Sequence, residues 1–437
     1  MRKMKDSGVE WIGEIPEDWE VSRLKFSAQI ISGSTPNSNE PSFWNGDINW
    51  ITPKDLNDNQ IISSSFRTIT KEGYLSCGTY LVQKNSVVLS TRAPIGAVGI
   101  TGKELCTNQG IKSILCKERE LHYKYLYYYL LINDLVLNSL GNGTIFLELS
   151  TTSLENLEIP CPSFKDQCRV VEVLDEKNSS LDNIRGLLID EIHTLEAYKK
   201  SVITEAVTKG LDRNAEMKDS GIEWIGEIPK HWDVRRLKQI LSKGPNSLKV
   251  GPFGSAIKST DFIDEGKWVY NQRSVLDNNF NINDTFISEE KYNELRSFRV
   301  YKGDVLLTTR GTIGRVAVVP QSFYEGVIHP CIIRFQLDGD VFRNELIKYI
   351  FNDTDIILRQ LEFLSNSATI GVIYSYNLVN LYIPAPSIEE QYQILNYLDK
   401  KTKVIDEVIA IKQNQLSLLD EYKKSLIYEY VTGKREV

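Results

Sequence analysis

Apolar residues recur at a helical spacing in two long segments of the chain, and both segments contain almost no glycine. In the first segment an apolar side chain stands at every seventh position: Leu174, Leu181, Leu188, Leu195 and Val202. The corresponding positions of the second segment are Leu398, Ile405, Lys412, Leu419 and Leu426, of which four are apolar. A sustained seven-residue spacing favours a coiled-coil seam, so the pattern predicts two long helices that pack together.

Both predicted helices have start and stop signals. Ser163 and Ser387 each follow a proline and stand three residues before an acidic side chain, which is typical of a helix N-terminus. Each segment ends near a Thr-Lys-Gly or Thr-Gly-Lys, where glycine can close the helix. About 44 residues would make a helix roughly 66 Å long. That length favours a rod between other domains, and an amphipathic helix lying on its own domain's core is the alternative.

The segment before each long helix has the shorter apolar runs of a mixed α/β fold. The dipeptide Asn45-Gly46, inside an aromatic and β-branched run, predicts a hairpin turn. A further hairpin is predicted twice, because Val87–Val98 and Val305–Val316 can be aligned. Each segment is predicted to finish with one helix, near Tyr123–Leu140 and Glu345–Leu364.

These elements belong to an internal repeat. Met4–Lys25 and Met217–Lys238 are identical at 17 of 22 positions, and Asn156–Val207 matches Asn380–Val431. The predicted organisation is a matched lead, a dissimilar middle and a matched helix, each present twice: residues 1–25, 26–155, 156–212, 213–238, 239–379 and 380–437. We expect the matched parts to meet the same kind of partner or each other, and the diverged middles to contact different things.

Composition and charge limit the classes of function. The 437 residues are 41% hydrophobic and 25% charged, which is ordinary for a globular protein and excludes wholesale disorder. With 51 Lys and Arg against 58 Asp and Glu, the net charge of −7 excludes a uniformly basic nucleic-acid-binding surface. We see no signal peptide, no apolar run of membrane-spanning length and no C-x-x-C pair among the six cysteines. We therefore expect a reduced, cytoplasmic protein without a metal site.

Motifs for catalysis are sparse. The sequence has no G-x-x-x-x-G-K-[ST] phosphate loop, and its four scattered histidines suggest no catalytic triad. Glu265-Gly266-Lys267 is an acid-x-Lys fragment of the kind found in metal-dependent nucleases, but its glycine favours a hairpin turn. The sequence therefore predicts no catalytic residue in this chain.

Four motifs together resemble a known family. The DSG-[VI]-EWIGEIP leads, the TTRGTIG hairpin, the IPxPSxxEQ junction and the EYKKSLI tail are similar to the specificity subunit of Type I restriction–modification enzymes, over essentially the whole chain. The resemblance implies an α+β protein with two mixed α/β target recognition domains, separated by two long helices that form an antiparallel coiled coil with a pseudo-two-fold internal repeat. It implies a non-catalytic DNA-binding subunit whose two middles each recognise one half of an asymmetric, bipartite site.

The same resemblance implies partners and cofactors. The family's specificity subunit binds double-stranded DNA and two modification subunits, which methylate adenine, and in some systems also two restriction subunits. S-adenosylmethionine, ATP and Mg would be bound by those partners, so no cofactor is expected in this chain. Because the partners can surround the DNA, the acidic total charge is compatible with DNA binding.

Candidate interface residues follow from these motifs and from side-chain chemistry, since arginine suits guanine edges and asparagine or glutamine suits adenine edges. The expected DNA-binding residues of the first middle are Ser34, Thr35, Lys54, Thr91, Arg92, Asn108 and Gln109. Those of the second are Ser255, Lys258, Gln272, Arg273, Thr309, Arg310 and Arg315. The expected helix–helix and partner interface comprises Leu174, Leu181, Leu188, Leu195, Leu398, Ile405, Leu419 and Leu426.

For some of these residues a structural role explains the sequence as well as a DNA-binding role does. Arg92 and Arg310 stand at equivalent bends after a strand and suit a phosphate or guanine contact, but an ion pair that fixes the hairpin explains them as well. The loop Asn108-Gln109-Gly110 aligns with His329-Pro330-Cys331. If this loop meets DNA, the two middles differ there, and if it is structural, the difference is one of local packing.

Two other functions stay open at this point. One is a coiled-coil protein-interaction scaffold without DNA sequence specificity, and the other is a self-sufficient nuclease or methyltransferase with an unrecognised site. Salt-sensitive, sequence-dependent DNA affinity would distinguish the scaffold. Activity of the isolated chain with Mg²⁺ or S-adenosylmethionine would support the enzyme.

Overall fold

The computed structural model describes residues 2–56, 60–92, 95–141, 148–244, 247–365 and 371–437. The chain separates into two compact units: Met1–Ile189 with Asn414–Val437, and Asp190–Gln413. Each unit contains one lead, one middle and a part of both long helices.

The first unit is a mixed α/β structure. Its strands are β1 Met4–Asp6, β2 Glu14–Pro16, β3 Glu20–Arg23, β4 Ala28–Ser32, β5 Trp44–Ile51, β6 Ile61–Ile62, β7 Arg67–Ile69, β8 Val87–Ser90, β9 Val98–Thr101, β10 Cys106–Thr107, β11 Ile111–Cys116 and β12 Glu158–Cys161. Its helices are α1 Leu24–Ser27, α2 Lys71–Leu75, α3 Tyr123–Leu131, α4 Asp134–Ser139, α5 Thr151–Glu155 and the first part of the long helix α6, Phe164–Lys209.

Two sheets carry the first middle. The larger has the strand order β4-β11-β8-β9-β6, and the smaller has the order β10-β5-β7 with β10 parallel to β5. The main core brings together one face of the larger sheet, helix α3 and the two long helices, as in the buried cluster of Val87, Leu89, Leu126, Val170 and Ile427. The lead, through Ile12 and Trp19, packs into the same core.

The second unit repeats this architecture. Its strands are β13 Met217–Asp219, β14 Glu227–Pro229, β15 Asp233–Arg236, β16 Leu248–Val250, β17 Phe262–Ile263, β18 Lys267–Tyr270, β19 Phe286–Ile287, β20 Val305–Thr308, β21 Val316–Val318, β22 Gly326–Ile328, β23 Ile332–Phe335 and β24 Tyr382–Ala385. Its helices are α7 Leu237–Ile240, α8 Gln272–Leu276, α9 Glu289–Glu294, α10 Asn344–Asp353, α11 Ile356–Ser365, α12 Ser375–Leu378 and part of the long helix α13, Ile388–Val431.

The sheets of the second unit follow those of the first. The order β16-β23-β20-β21 corresponds to β4-β11-β8-β9, and the parallel pair β18–β22 corresponds to β5–β10. The hairpin predicted in both middles is confirmed, since β8 pairs antiparallel with β9 and β20 with β21. Part of the first hairpin's turn, Ala93 and Pro94, lies outside the described residues.

Two local predictions are wrong. Asn45-Gly46 makes no hairpin turn: Asn45 has a φ of 63° inside β5, and Trp44 and Ile48 both pair with Ile69, which is a bulge in one strand. The dipeptide suits both geometries, because each needs residues that tolerate a positive φ.

In each middle, the stretch predicted to be one helix is also a pair of short helices. Asn133 separates α3 from α4 and donates from its side-chain amide to the carbonyl of Tyr129 at 2.7 Å, which closes the first helix. Thr354 separates α10 from α11: its hydroxyl donates to the carbonyl of Ile350 at 2.6 Å and accepts from the amide of Ile356 at 3.3 Å. The Thr354 side chain therefore serves the end of α10 and the start of α11, which stabilises that break.

The predicted ends of the two long helices are confirmed. Ser163 caps α6 by accepting from the amide of Asp166 at 3.2 Å, and Ser387 caps α13 in the same way from Glu390 at 3.3 Å. Gly210 and Gly433 follow the last turns with φ values of 71° and 74°. This left-handed conformation is the usual helix stop.

The long helices run antiparallel in both units. In the first unit Lys423 pairs with Asp182 at 2.6 Å and Asp420 with Arg185 at 3.6 Å. In the second unit the pairs are Lys412–Glu191 at 2.7 Å and Lys199–Asp406 at 2.6 Å. The partner number on α13 falls as the number on α6 rises, so the directions are opposite. Exposed pairs of this kind contribute about 0–1 kcal/mol each, and they therefore define register more than stability.

The heptad positions divide into two groups. Leu174, Leu398 and Leu426 are at most 2% exposed, because they pack into the core of a unit together with its sheet and short helices. Leu188 and Leu419 are half-buried, in the part of each helix where it pairs with the other long helix. Both predicted arrangements therefore occur: the ends of each helix lie on a core, and the middle forms the coiled coil.

Candidate nucleic-acid interface

Four chain segments meet at one end of each middle, and we call the surface they form the loop surface. In the first unit these segments are 33–35, 52–55, 91–92 and 108–110, and in the second unit 251–258, 271–273, 309–312 and 329–331. Every predicted DNA-binding residue except Arg315 belongs to one of these segments. The contacts within each surface decide which side chains are free to meet a ligand.

A glycine allows the first segment to pass directly over the fourth. A Cβ on Gly33 would lie 2.2 Å from the carbonyl oxygen of Asn108, and a Cβ on Gly251 would lie 2.1 Å from that of His329. No side chain fits at such a distance, so both positions require glycine. The amide of Ser34 then donates to the carbonyl of Thr107 at 3.0 Å, which fixes this crossing in the first unit.

The second segment is a helical turn that begins where a central strand ends. In the first unit Asp55 accepts from the amide of Thr52 at 2.7 Å and from the amide of Phe66 at 2.7 Å, so the turn is held by one buried carboxylate. Lys54 is exposed on this turn. In the second unit the turn is the start of α8, where Asn271 accepts from the amide of Arg273 at 2.9 Å.

The fourth segment has the same anchor in both units. The amide of Asn108 donates to the carbonyl of Ile51 at 2.9 Å, and the amide of His329 donates to the carbonyl of Tyr270 at 2.9 Å. The aligned loops therefore occupy equivalent places although their sequences differ. In the first unit Gln109 is exposed and hydrogen-bonded to Thr35.

The second loop is chemically different. The imidazole Nδ1 of His329 lies 2.9 Å from the Sγ of Cys331. Burial lowers the pKa of His329 and raises the pKa of Cys331, so both side chains are neutral near pH 7. This loop presents no charge of its own, whereas its counterpart presents amide groups.

Thr91 and Thr309 are not available to a ligand, and their prediction as DNA-binding residues is corrected. Thr91 is fully buried and its hydroxyl donates to the carbonyl of Gly110 at 3.3 Å. Thr309 is 4% exposed and donates to the carbonyl of Cys331 at 2.9 Å. These threonines tie the hairpin to the fourth segment in both units, which explains why they match.

The two matched arginines differ in their contacts. The guanidinium of Arg92 pairs with Glu148 at 3.2 Å, as the ion-pair alternative predicted. Arg310 is exposed and has no ion pair among the described residues. Of the two, only Arg310 presents an uncompensated charge at the loop surface.

The remaining candidates of the second unit are mostly exposed. Ser255 and Lys258 lie on the first segment, and the amide of Lys258 donates to Asp261 at 2.7 Å. The side-chain amide of Gln272 donates to the carbonyl of Thr312, two residues after Arg310, at 3.4 Å. Arg273 is exposed and pairs with Asp277 at 3.4 Å and Asp284 at 3.8 Å.

Arg315 belongs elsewhere, and its prediction is also corrected. Its guanidinium donates to the carbonyl of Asn352 near the end of α10, and Asn352 in turn receives the amide of Val316 at 2.9 Å. A cation at a helix C-terminus is favourable for the helix dipole. Arg315 therefore joins the hairpin to α10 and does not face the loop surface.

Two side chains near the loop surfaces were not predicted. Arg67 lies over the ring of Trp44 at 3.6 Å and comes beside Trp50 through the pairing of β7 with β5. Phe253 is 61% exposed next to Ser255. No sequence signal distinguishes Arg67, because its place depends on strand pairing, whereas Phe253 lies in the Gly-Pro-Phe-Gly run and could have been found there.

The exposed side chains of the loop surfaces include hydrogen-bond donors such as Lys54, Gln109 and Arg310. Among the described residues no three His, Cys, Asp or Glu side chains lie close enough to hold a metal ion. In the same part of the chain no helix is both long and apolar enough to cross a membrane.

The family follows from comparison with known proteins. The model of the Type I restriction modification DNA specificity domain matches residues 16–193 and 229–420. The chain therefore belongs to the family of Type I restriction enzyme specificity subunits, and the expected class of fold is confirmed.

Individual relatives support this assignment. The chain is 29% identical to the MjaIX specificity subunit of Methanocaldococcus jannaschii, over 98% of this chain and 95% of that protein. It is 27% identical to the EcoR124I/EcoR124II specificity subunit of Escherichia coli, over 51% of this chain and 48% of that protein. A solved chain from work on complex assembly and conformational transition of the type I R-M system has a TM-score of 0.69 and 16% identity, covering 96% of this chain and 99% of that one.

Proposed function

We propose that this chain is the DNA sequence-recognition subunit of a Type I restriction–modification complex, and that residues 26–155 and 239–379 are recognition domains for the two halves of an asymmetric, bipartite site. One observation carries the proposal: equivalent strands and anchors build the loop surface twice, but they expose different side chains. A constant frame with different hydrogen-bonding groups suits two half-sites of different sequence.

The chemistry of the exposed groups fits duplex DNA. The first loop surface offers Lys54 and the amide of Gln109, and the second offers Lys258, Arg273 and Arg310. Ammonium groups suit phosphates, while amides and guanidinium groups can also hydrogen-bond base edges in the major groove. The buried threonines and Arg315 support the frame and leave specificity to the exposed groups.

The long helices support the proposal of two modification subunits. Leu187 and Ile411 occupy matched positions of α6 and α13 and are 65% and 57% exposed. Tyr198 and Tyr422 form a second matched pair, each 51% exposed. Apolar side chains exposed at repeated positions suit two copies of one partner. Restriction subunits would join where the system has them.

Catalysis and cofactors are proposed to lie in the partners. The modification subunits would bind S-adenosylmethionine and methylate adenine, and restriction subunits would use ATP and Mg. This chain would determine where the complex acts. We propose that it does so in the cytoplasm, where chromosomal DNA is accessible.

Methylome sequencing tests the proposal. A host that lacks adenine methylation would express this chain with its neighbouring modification subunit, and a matched strain would express the modification subunit alone. We expect a new N6-methyladenine motif with two half-sites of different sequence, seen only when both proteins are present. An intact purified complex that yields no motif would contradict the proposal and favour a scaffold without DNA specificity.

A further inference from the structure

A fully buried glutamine joins each recognition domain to the start of a long helix. In the first unit Gln167 of α6 accepts from the amide of His122 at 2.8 Å and donates to the carbonyls of Glu120 at 3.0 Å and Pro162 at 3.1 Å. The residues 120–122 directly precede α3. The side chain is 1% exposed. Both of its N–H donors and one of the two acceptor lone pairs of its oxygen are used in fixing this junction.

The second unit contains the same junction. Gln391 of α13 accepts from the amide of Arg343 at 2.9 Å and donates to the carbonyls of Val341 and Pro386, each at 3.0 Å. Gln391 is fully buried and lies 224 residues after Gln167, at the matched position. The residues 341–343 directly precede α10, as 120–122 precede α3.

A tyrosine and an aspartate make a second junction farther along each helix. The hydroxyl of Tyr128 in α3 donates to Asp175 of α6 at 2.6 Å, and Lys124 forms an ion pair with the same carboxylate. The hydroxyl of Tyr349 in α10 donates to Asp399 of α13 at 2.9 Å. Tyr128 and Tyr349 are both the sixth residue of their helices, and the two aspartates are again 224 residues apart.

Two separated contacts restrict an angle, whereas one contact permits a pivot. Glutamine and aspartate are eight residues apart on the helix in both units, which is about 12 Å at 1.5 Å per residue. Apolar packing alone would hold a domain on a helix without choosing one direction, because it is not directional. Hydrogen bonds are directional, so two of them at separate places on the helix favour one angle.

We propose that these residues form an orienting clamp, made of Gln167, Tyr128 and Asp175 in the first unit and of Gln391, Tyr349 and Asp399 in the second. The clamp fixes the angle of each recognition domain on its long helix, and it thereby limits the DNA to one spacing between half-sites. The clamp residues are positioning residues. The statement on spacing rests on the proposed function, and the statement on the angle does not.

The two clamps are unequal. Lys124 supports Asp175, but the corresponding position of the second unit is Glu345, which cannot pair with Asp399. Thr402, 3.3 Å from the hydroxyl of Tyr349, is the additional neighbour there. Removal of the tyrosine hydroxyl should therefore loosen the second domain more than the first.

The angle is tested by distance distributions in the full chain assembled with its modification subunits. Leu75 and Ser179, both exposed in the first unit, would each be replaced by an unnatural amino acid that carries the spin label. A thiol-reactive label is unsuitable because it would also modify the native cysteines. We expect Tyr128→Phe to broaden the distribution at least twofold at an unchanged melting temperature. The control Tyr129→Phe, which removes a hydroxyl bonded to the carbonyl of Glu158, should leave the width unchanged. Equal widths in Tyr128→Phe and wild type would overturn the clamp.

The spacing is tested by the methylomes of the same variants and of Tyr349→Phe. We expect unchanged half-site sequences, with sites one base pair longer or shorter methylated at least tenfold more often than by wild type, most clearly for Tyr349→Phe. A uniform loss of methylation without new spacings would show a purely structural role and overturn the inference on spacing. A wild-type methylome without any bipartite motif would contradict the proposed function, while the label distances would still decide the clamp.

Discussion

Arg310 is the residue on which the proposed DNA contact of the second loop surface most directly depends. It is exposed at the loop surface, whereas the matched Arg92 has Glu148 at 3.2 Å. A guanidinium without a local carboxylate keeps its full charge for a ligand, and its planar donors suit guanine or phosphate. Arg92 and Arg310 differ because Glu148, which pairs with Arg92, lies outside the hairpin, so the hairpin sequence alone does not show the difference.

Arg310→Ala should weaken specific DNA binding by the assembled complex by about 1–3 kcal/mol, roughly 5- to 150-fold in Kd. Titrations at several salt concentrations measure this loss and its origin. A lost phosphate contact lowers the salt slope by about one, and a lost base contact relaxes one position of the half-site. Arg315→Ala is the control, because its guanidinium bonds to the carbonyl of Asn352. Equal affinities of wild type and Arg310→Ala would remove Arg310 from the interface.

Side-chain chemistry was predictable at the residue scale, but side-chain environment was not. Residue type and motif position identified the loop surface that contains Lys54, Gln109 and Arg310. They did not show that Thr91 and Thr309 turn inward, because a threonine at the end of a strand suits either side. Arg67 could not be found at all, since strand pairing brings it to Trp50 from 17 residues away.

Among the elements, the two long helices bury few side chains against each other near their middles. Leu188 and Leu419 are half-buried there, while Leu187 and Leu418 beside them are 65% and 54% exposed. All four lie in the first unit. Of two neighbouring leucines on each helix, one thus faces the seam and the other faces the solvent. Substitutions at the two kinds of position can therefore test helix packing and partner binding separately.

Replacing Leu188 and Leu419 by Asp should destabilise the helix pair by about 2–4 kcal/mol in total, because two charges enter an apolar seam. Thermal melting followed by circular dichroism measures this change. Replacing Leu187 and Leu418 by Asp is the matched control, and it should leave the melting temperature nearly unchanged while it lowers recovery of the modification subunit. If the first double variant melts and assembles as wild type does, the coiled-coil assignment is wrong.

Long elements were more predictable than short ones. A seven-residue spacing over five repeats leaves few alternatives, and the caps at Ser163 and Ser387 lie where the sequence indicates. The bulge at Asn45 and the break at Thr354 depend on single residues that are compatible with several local structures. Tertiary packing decides between such structures, and no local pattern records it.

At the scale of the whole molecule, the repeat explains both the constant and the variable features of the chain. Equivalent sheets, glycine crossings and junction glutamines recur in the two units, although the middles differ in sequence. The matched leads, helices and hairpin in the sequence predicted the repeat, but not the glycine crossings or the junction glutamines. The orienting clamp escaped prediction because Tyr128 and Tyr349 lie in the dissimilar middles, where their common contact is visible only in three dimensions.

Exchange of one middle tests whether each middle recognises its own half-site. Residues 26–155 would be replaced by the corresponding segment of a relative with a different target, and the methylome would be read in the presence of the modification subunit. We predict a motif in which one half-site changes to that of the donor, while the other half-site stays as in wild type. A motif in which both half-sites change, or neither does, would contradict the account of two independent recognition domains on a common frame.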